Sequence, residues 1–176
     1  MPIELQTLMN TAKKQNELYQ ATSFWDAGIP MISNDLETLG FENFRNWPSS
    51  LGFFVPTYGS PGSSLFIEHQ EALAEWCKEK QLNPKQTNFV NNWANGFSQA
   101  ESDYRVLKSS VLGTPNEFLL NFSESETGRP KEQFEFESKL HSRSSLNYLI
   151  GLSALGKYVD LLSLNNILEI GGGYGT

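Results

Sequence analysis

The sequence predicts a mainly α-helical chain that ends in the first strand of an α/β domain. Three observations carry this prediction. Residues 85–111 place an apolar side chain at every third or fourth position, which is the period of one face of an α-helix. Residues 167–170 form a short apolar run that suits a buried parallel strand. Four glycines then fall within residues 171–175, where an α/β fold brings its backbone against a ligand.

Short helices are predicted to make up the N-terminal part of the chain. Residues 4–20 show a weakly amphipathic helical pattern. Residues 22–26 begin with side chains that can cap a short turn. Residues 31–39 are predicted to form a second short helix, which Gly40 ends.

A loop and a longer helix are predicted next. Residues 47–64 are rich in proline and glycine, which predicts an irregular loop. Ser63 or Ser64 then caps a helix of residues 65–80. Cys77 lies on the inner face of this helix, as a small core residue.

Aromatic residues are concentrated between positions 24 and 47, and two interpretations of them remain open. Aromatic side chains bury large areas, which favours core packing. Alternatively, they line part of a pocket for an acceptor molecule. The four residues concerned are Phe24, Trp25, Phe44 and Trp47.

One continuous helix is predicted for residues 85–111, and Gly113 ends it. Its apolar stripe is assigned to the protein core, because such stripes are more often core than cofactor-binding surface. The stripe consists of Phe89, Trp93, Phe97, Ala100, Tyr104, Leu107 and Val111. Residues 123–131 are polar and are predicted to form a surface loop. Residues 132–162 lead into the glycine-rich turn and include a predicted helix that would cover one edge or one face of the coming sheet.

The glycine-rich turn reads E-x-G-x-G-x-G from Glu169 to Gly175. It does not match the dinucleotide pattern G-x-G-x-x-G, because the third glycine would fall on Thr176. It does not match the phosphate-binding loop either, because no lysine follows the glycines. A pyrophosphate ligand would want backbone N–H groups at a helix start, whereas a carboxylate before the glycines suits a positively charged ligand.

The run Ile-Leu-Glu-Ile-Gly-Gly-Gly-Tyr-Gly resembles motif I of the class I S-adenosylmethionine-dependent methyltransferases. In that family the acidic residue ends the first strand of a Rossmann-like domain, and the glycines wrap the cofactor. The resemblance therefore implies S-adenosylmethionine as cofactor. The residues that it implies for cofactor binding are Glu169, Gly171, Gly172, Gly173 and Gly175.

Three upstream segments look like the N-terminal region of bacterial sugar O-methyltransferases. They are Ser23-Phe-Trp25, Gly40-Phe-Glu-Asn-Phe44 and Leu112-Gly-Thr-Pro115. This resemblance implies methyl transfer to a sugar hydroxyl, with a saccharide or another small molecule as acceptor. It also implies a helical N-terminal region at residues 1–135 and the start of the methyltransferase domain at residues 136–176.

No catalytic base can be assigned from the sequence. His69 and His141 lack a recognisable partner at fixed spacing and are interpreted as structural or solvated. Arg143 and Tyr148 precede the motif and could approach the cofactor or the substrate, although packing is the favoured role for both. One cysteine and two distant histidines do not make a zinc site, so no metal is predicted.

Composition excludes several classes of protein. A formal net charge of −7 argues against nucleic acid as the main partner. No apolar run is long enough to span a bilayer, and the N-terminus has no secretory signal pattern. A single cysteine fits the reducing cytoplasm. The oligomeric state stays open.

Two alternatives to the methyltransferase hypothesis are kept. The first is a helical interaction module in which the glycine-rich tail is only a linker. The second is an NAD-type enzyme with an atypical glycine turn. A parallel sheet needs crossover units that these 176 residues do not contain, so the expectation is an inactive fragment, truncated after its first strand.

Overall fold

A computed structural model describes residues 3–16, 22–50, 63–130 and 132–168, and this part of the chain is mainly helical. The predicted fold class is thereby confirmed. The helices and strands in chain order are α1 Ile3–Ala12, α2 Ser23–Leu39, α3 Ser63–Glu79, α4 Pro84–Ala94, α5 Phe97–Val111, β1 Phe134–Phe136, β2 Lys139–His141 and α6 Arg143–Leu155. Short 3-10 helices span Phe44–Asn46, Pro115–Asn121 and Leu161–Ser163.

Contacts divide the chain into two compact units. The first unit comprises residues 1–55 with residues 126–130, and the second comprises residues 56–125 with residues 131–176. In the first unit, α1 ends at Ala12, well before the predicted end at residue 20. Most of the predicted loop at residues 47–64 lies outside the described residues.

Helix α2 replaces the predicted turn and the separate short helix with one continuous helix, so that prediction was wrong. Pro30 lies inside it, where a missing N–H and the ring normally disrupt a helix. A tertiary contact holds the second half of α2 in place. The buried Asp35 carboxylate of this helix accepts a hydrogen bond from the Ser49 N–H at 2.9 Å. Gly40 ends the helix as predicted, with φ 70°.

The aromatic residues of the first unit divide between packing and exposure. Trp47 is buried, and its indole N–H donates to the carbonyl of Gly40 at 3.0 Å. The Phe44 ring lies 6.3 Å from that of Trp47, in an edge-to-face arrangement. Phe24 and Trp25 contact each other at 5.2 Å and remain exposed. Core packing therefore holds for Trp47 and in part for the half-buried Phe44, and not for Phe24 and Trp25.

The hydrophobic core of the second unit lies between α5, α6 and the 3-10 helix Pro115–Asn121. Its buried members are Ala100, Tyr104, Leu107, Val111, Leu119, Leu146 and Leu149. Phe134 and Phe136 of the β-hairpin pack against it, and the Phe136 ring stacks on Tyr104 at 4.8 Å. Cys77 is buried, as predicted.

The predicted continuous helix at residues 85–111 is two helices, α4 and α5. Gly96 separates them with φ 86°, a conformation that glycine adopts without steric cost. A Cβ at this position would lie 2.8 Å from Nε of Arg143. The break also divides the apolar stripe, because Phe89 and Trp93 on α4 are 68% and 53% exposed. They are not core residues, in contrast to the prediction.

A β-hairpin, which the sequence did not predict, occupies residues 134–141. Strands β1 and β2 are antiparallel, and Phe134 pairs with His141. The two turn residues, Glu137 and Ser138, have φ values of 51° and 63°, as in the type I′ turns that match strand twist. The Glu137 carboxylate accepts a hydrogen bond from the Tyr104 hydroxyl at 3.0 Å and pairs with Lys108. These contacts attach the turn to α5.

The contacts among Glu137, Tyr104 and Lys108, which anchor the turn, also shift two pKa values. Hydrogen bonds from Lys108 and then Tyr104 lower the pKa of the exposed Glu137 carboxyl. Burial, assisted by Glu137, raises the pKa of Tyr104 to about 12. The Tyr104 hydroxyl therefore stays protonated at neutral pH and acts as a hydrogen-bond donor.

Helix α6 and the segment after it differ from the predicted helix-to-strand transition. The helix ends at Leu155, and the predicted strand has no regular structure at Ile167 and Leu168, which are 82% and 86% exposed. A parallel strand needs a neighbouring strand for its hydrogen bonds, and the described part of the chain places none beside these two residues. The predicted domain boundary after residue 135 stays a prediction, and the packing of α5 on α6 crosses it.

Candidate functional site

The predicted cofactor-binding residues lie outside the described part of the chain. Glu169, Gly171, Gly172, Gly173 and Gly175 all fall within residues 169–176. Their role stays a prediction. The structure describes the segment of the chain that precedes them, which consists of α6 and residues 156–168.

A reciprocal capping box fixes the start of α6. The Ser142 hydroxyl accepts from the Ser145 N–H at 3.1 Å, and the Ser145 hydroxyl accepts from the Ser142 N–H at 3.0 Å. The same Ser142 N–H donates to the carboxylate of Glu124 at 2.7 Å. Glu124 is buried, so the predicted surface loop at residues 123–131 reaches into the interior at this residue.

A buried ion pair holds the first residue of α6. The Arg143 side chain is fully buried, and its Nη2 donates to Oε2 of Glu132 at 2.8 Å. Its Nε and its backbone N–H both donate to Oε1 of Glu132, at 3.1 and 2.9 Å. The guanidinium also fills the space that Gly96 leaves open. Arg143 therefore links α6 to the α4–α5 turn, and it is a structural residue.

His141 occupies an aromatic environment at the end of β2. Its ring is fully buried among Tyr104, Phe122 and Phe136, with ring centroids 5.6 to 6.2 Å away. Neither ring nitrogen has a hydrogen-bond partner. Burial lowers the pKa of His141, while the Glu124 carboxylate acts in the opposite direction. His141 is therefore a neutral packing residue, as the structural interpretation predicted, and His69 is exposed on α3.

Acidification is expected to destabilise the protein through His141. Its folded-state pKa lies below the unfolded value of 6.5, so the unfolded chain takes up a proton first as the pH falls. Stability from the neutral ring is complete above pH 6.5 and decreases below it. The groups that face His141 are the Glu124 carboxylate and the Tyr104 hydroxyl, and the raised pKa of Tyr104, about 12, keeps that hydroxyl uncharged over this range. Urea unfolding at a series of pH values measures this effect.

His141→Phe provides the direct comparison. Phenylalanine keeps an aromatic ring among the same neighbours and removes the titrating group, so the decrease between pH 6.5 and 5 is expected to disappear. His69→Gln, on the exposed surface of α3, is the matched control and should retain the wild-type pH profile. A His141→Phe protein with an unchanged pH profile would contradict this role.

Tyr148 is the second of the two residues predicted to be able to approach the cofactor or the substrate, and its side chain is accessible. It lies on α6 and is 54% exposed, on the side of the helix opposite the buried core residues. The structure thus separates the two candidates on this helix, because Arg143 is buried and Tyr148 faces solvent.

A groove between α3 and α4 was not predicted. Its volume is about 390 Å³, and it is lined by Trp76, Leu82, Lys85, Gln86, Phe89 and Val90. No clear signal for this groove is present in the sequence, because helical periodicity assigns Phe89 to the core stripe. Only the break at Gly96 shows that the two ends of this stripe need not share one buried face.

The described residues show neither a metal-binding cluster nor a membrane-spanning helix. Within residues 3–16, 22–50, 63–130 and 132–168, no cluster of histidine, cysteine, aspartate or glutamate side chains is arranged to hold a metal ion. Helices in the same ranges are too short or too polar to cross a membrane. We find no family model, curated protein or solved structure that matches this chain.

Proposed function

We propose that this chain is the N-terminal part of an S-adenosylmethionine-dependent O-methyltransferase that acts on a sugar hydroxyl. The observation that carries the proposal is the E-x-G-x-G-x-G turn directly after the apolar run at residues 167–170. The sugar acceptor rests on the shorter upstream resemblance. By itself, the 176-residue chain is expected to lack activity, because the cofactor site needs a sheet of which residues 167–170 are predicted to supply only the first strand.

The chemistry of the donor set fits S-adenosylmethionine. The cofactor carries an ammonium and a sulfonium, and Glu169 offers a carboxylate to this positive charge. Gly171, Gly173 and Gly175 have no Cβ, so their backbone can approach a ligand closely. No side chain among these four residues introduces a competing positive charge.

The described residues support the proposal only upstream of the turn, where they anchor the start of α6. The capping box and the buried Arg143–Glu132 pair hold the start of α6, and Leu146 and Leu149 anchor its inner face. Residues 156–168 then lead directly from this helix to Glu169.

When bound, S-adenosylmethionine supplies a methyl group that passes from its sulfur to the acceptor oxygen while the hydroxyl proton is lost. The chain must therefore orient the acceptor in line and accept or release that proton. Neither histidine fits this task among the described residues, because His141 is enclosed by aromatic rings and His69 lies on the surface of α3. The base is left unassigned.

Glu169→Ala is expected to weaken binding of S-adenosylmethionine to the full-length protein by about 10- to 100-fold. The substitution removes a charge-assisted interaction with the cationic cofactor, which typically contributes about 1.5–3 kcal/mol. Equilibrium dialysis with labelled cofactor measures the affinity, and label transfer to a panel of saccharides tests the acceptor class.

The matched control is Glu135→Ala, which removes an exposed carboxylate on β1 and the same amount of negative charge. It should leave the affinity unchanged. Circular dichroism checks that both variants fold. Equal affinities of the two variants for S-adenosylmethionine would show that Glu169 does not bind the cofactor. If the folded wild-type protein bound no S-adenosylmethionine, the proposed function would be wrong.

A second candidate function is a helical interaction module, and the exposed aromatic surface of α3 and α4 favours it. Trp76, Phe89 and Trp93 are all exposed there, which is unusual for large apolar side chains outside a binding surface. The two candidate functions can be distinguished by substitution, because an interaction module does not need Glu169. Trp93→Ala with normal cofactor binding but loss of a partner would identify this second function.

A further inference from the structure

The groove between α3 and α4 has the size and the lining of a small-molecule site. Its volume of about 390 Å³ lies within the range of ligand pockets, which is roughly 300–1,000 Å³. Four of its six lining residues are apolar, and two of these supply aromatic rings, Trp76 on α3 and Phe89 on α4. Both rings are exposed to solvent. Rings that line a concave surface and remain in water offer a large contact area to a ligand.

The two polar side chains that line the groove are hydrogen-bond donors. Lys85 carries the only charge in the lining, and an ammonium group donates hydrogen bonds but accepts none. The Oε1 atom of Gln86 already accepts a hydrogen bond from the Asn83 N–H at 3.0 Å, so the amide NH₂ group is the end that stays available. A ligand group that meets these two side chains must therefore be an acceptor.

The segment that builds the groove is positively charged, in contrast to the chain as a whole. Residues 76–94 contain three lysines and one glutamate, although the net charge of the chain is −7. Lys80 pairs with Glu79 at 3.2 Å, whereas Lys85 has no carboxylate partner within the described part of the chain. Charge complementarity therefore favours an anion at the end of the groove that Lys85 occupies.

The polar and the apolar parts of the groove are one helical turn apart. Lys85 and Gln86 lie in the first turn of α4, and the apolar lining residues of this helix follow four positions later. Residues four positions apart share one face of a helix and are separated by about 6 Å along its axis. The groove therefore fits a ligand with an anionic group at one end and an apolar body at the other.

We propose that this groove binds a small apolar carboxylate, with the carboxylate at Lys85 and Gln86 and the apolar body against Phe89. The site is separate from the proposed cofactor site, because Glu169 takes no part in it. A second copy of the chain fits the groove less well. A symmetric contact uses the same surface of both copies, so it would place two positively charged segments against each other.

An NMR titration of the 176-residue chain with phenylbutyrate and with its uncharged amide, phenylbutyramide, tests the proposal. We expect saturable shifts of the backbone amides of residues 82–90, and about fivefold tighter binding of the carboxylate, the most that an exposed ion pair normally adds. Lys85→Gln should remove this preference. Phe89→Ala should weaken the binding of both compounds by about tenfold, because it removes the ring that the apolar body contacts.

Lys78→Gln is the matched control. It removes the same charge from an exposed position of α3 that does not line the groove, so the preference for phenylbutyrate should remain. Equal affinities of the wild-type chain for the carboxylate and the amide would overturn the proposal, as would shifts that do not saturate. Sedimentation of the chain as a dimer that Phe89→Ala dissociates would assign the groove to a second copy and overturn it as well.

Discussion

Arg143→Ala is expected to lower the free energy of unfolding by about 3–5 kcal/mol, the usual cost of removing one partner from a buried ion pair. The guanidinium is fully buried and donates twice to a Glu132 carboxylate that is only 14% exposed. The substitution also empties the space beside Gly96, at the junction of α4 and α5. Urea unfolding of the 176-residue chain, followed by circular dichroism, measures the loss.

Arg105→Ala is the matched control for this prediction. Arg105 pairs with Glu101 one turn away on α5, and the two side chains are 73% and 42% exposed. Water screens this pair, so its removal should cost no more than about 0.5 kcal/mol. In a double-mutant cycle, Glu132→Ala should cost much less in the Arg143→Ala background than alone. Equal losses for Arg143→Ala and Arg105→Ala would contradict the structural role of Arg143.

Leu146→Ala is expected to cost about 2–5 kcal/mol, because it leaves a cavity in a close-packed core. Leu146 is fully buried where α6 meets α5. Leu152→Ala is the control, with the same chemical change on the same helix but on its outward face. In the 176-residue chain this control should cost less than about 1 kcal/mol. A reversed order of the two losses would mean that the helix is rotated about its axis.

Local signals explain what could be predicted from the sequence. Gly40 and Gly113 end helices because each adopts a positive φ, which a residue with a side chain could adopt only with strain. Cys77 lies in the core because a small apolar side chain is found there most often. These features depend on a few consecutive residues, so no knowledge of the tertiary structure is needed.

The features that were missed depend on distant contacts. The break at Gly96 is coupled to the Arg143 side chain, which the chain brings back from α6. The hairpin strands have three residues each, which is too few for periodicity to reveal. Glu124 is buried because it caps α6 from a loop that is otherwise polar. The aromatic stripe was assigned to one face because its spacing continues across the break.

For the candidate site, too, some features are visible in the sequence and others only in the structure. Glu169 and its glycines are candidates because their sequence resembles motif I of the class I methyltransferases. The anchoring of α6, upstream of them, is visible only in the structure, because the contacts of Ser142 with Glu124 and of Arg143 with Glu132 join three segments of the chain. The sequence thus indicates the chemistry, and the structure shows how the helix upstream of the turn is anchored.

Calorimetric titration of the full-length protein with S-adenosylmethionine and, separately, with NAD tests the central claim most directly. We expect saturable binding of one S-adenosylmethionine per chain and no heat from NAD, because the acidic glycine turn suits a cation and not a pyrophosphate. Binding of NAD, or the absence of any S-adenosylmethionine binding by a folded protein, would contradict the account.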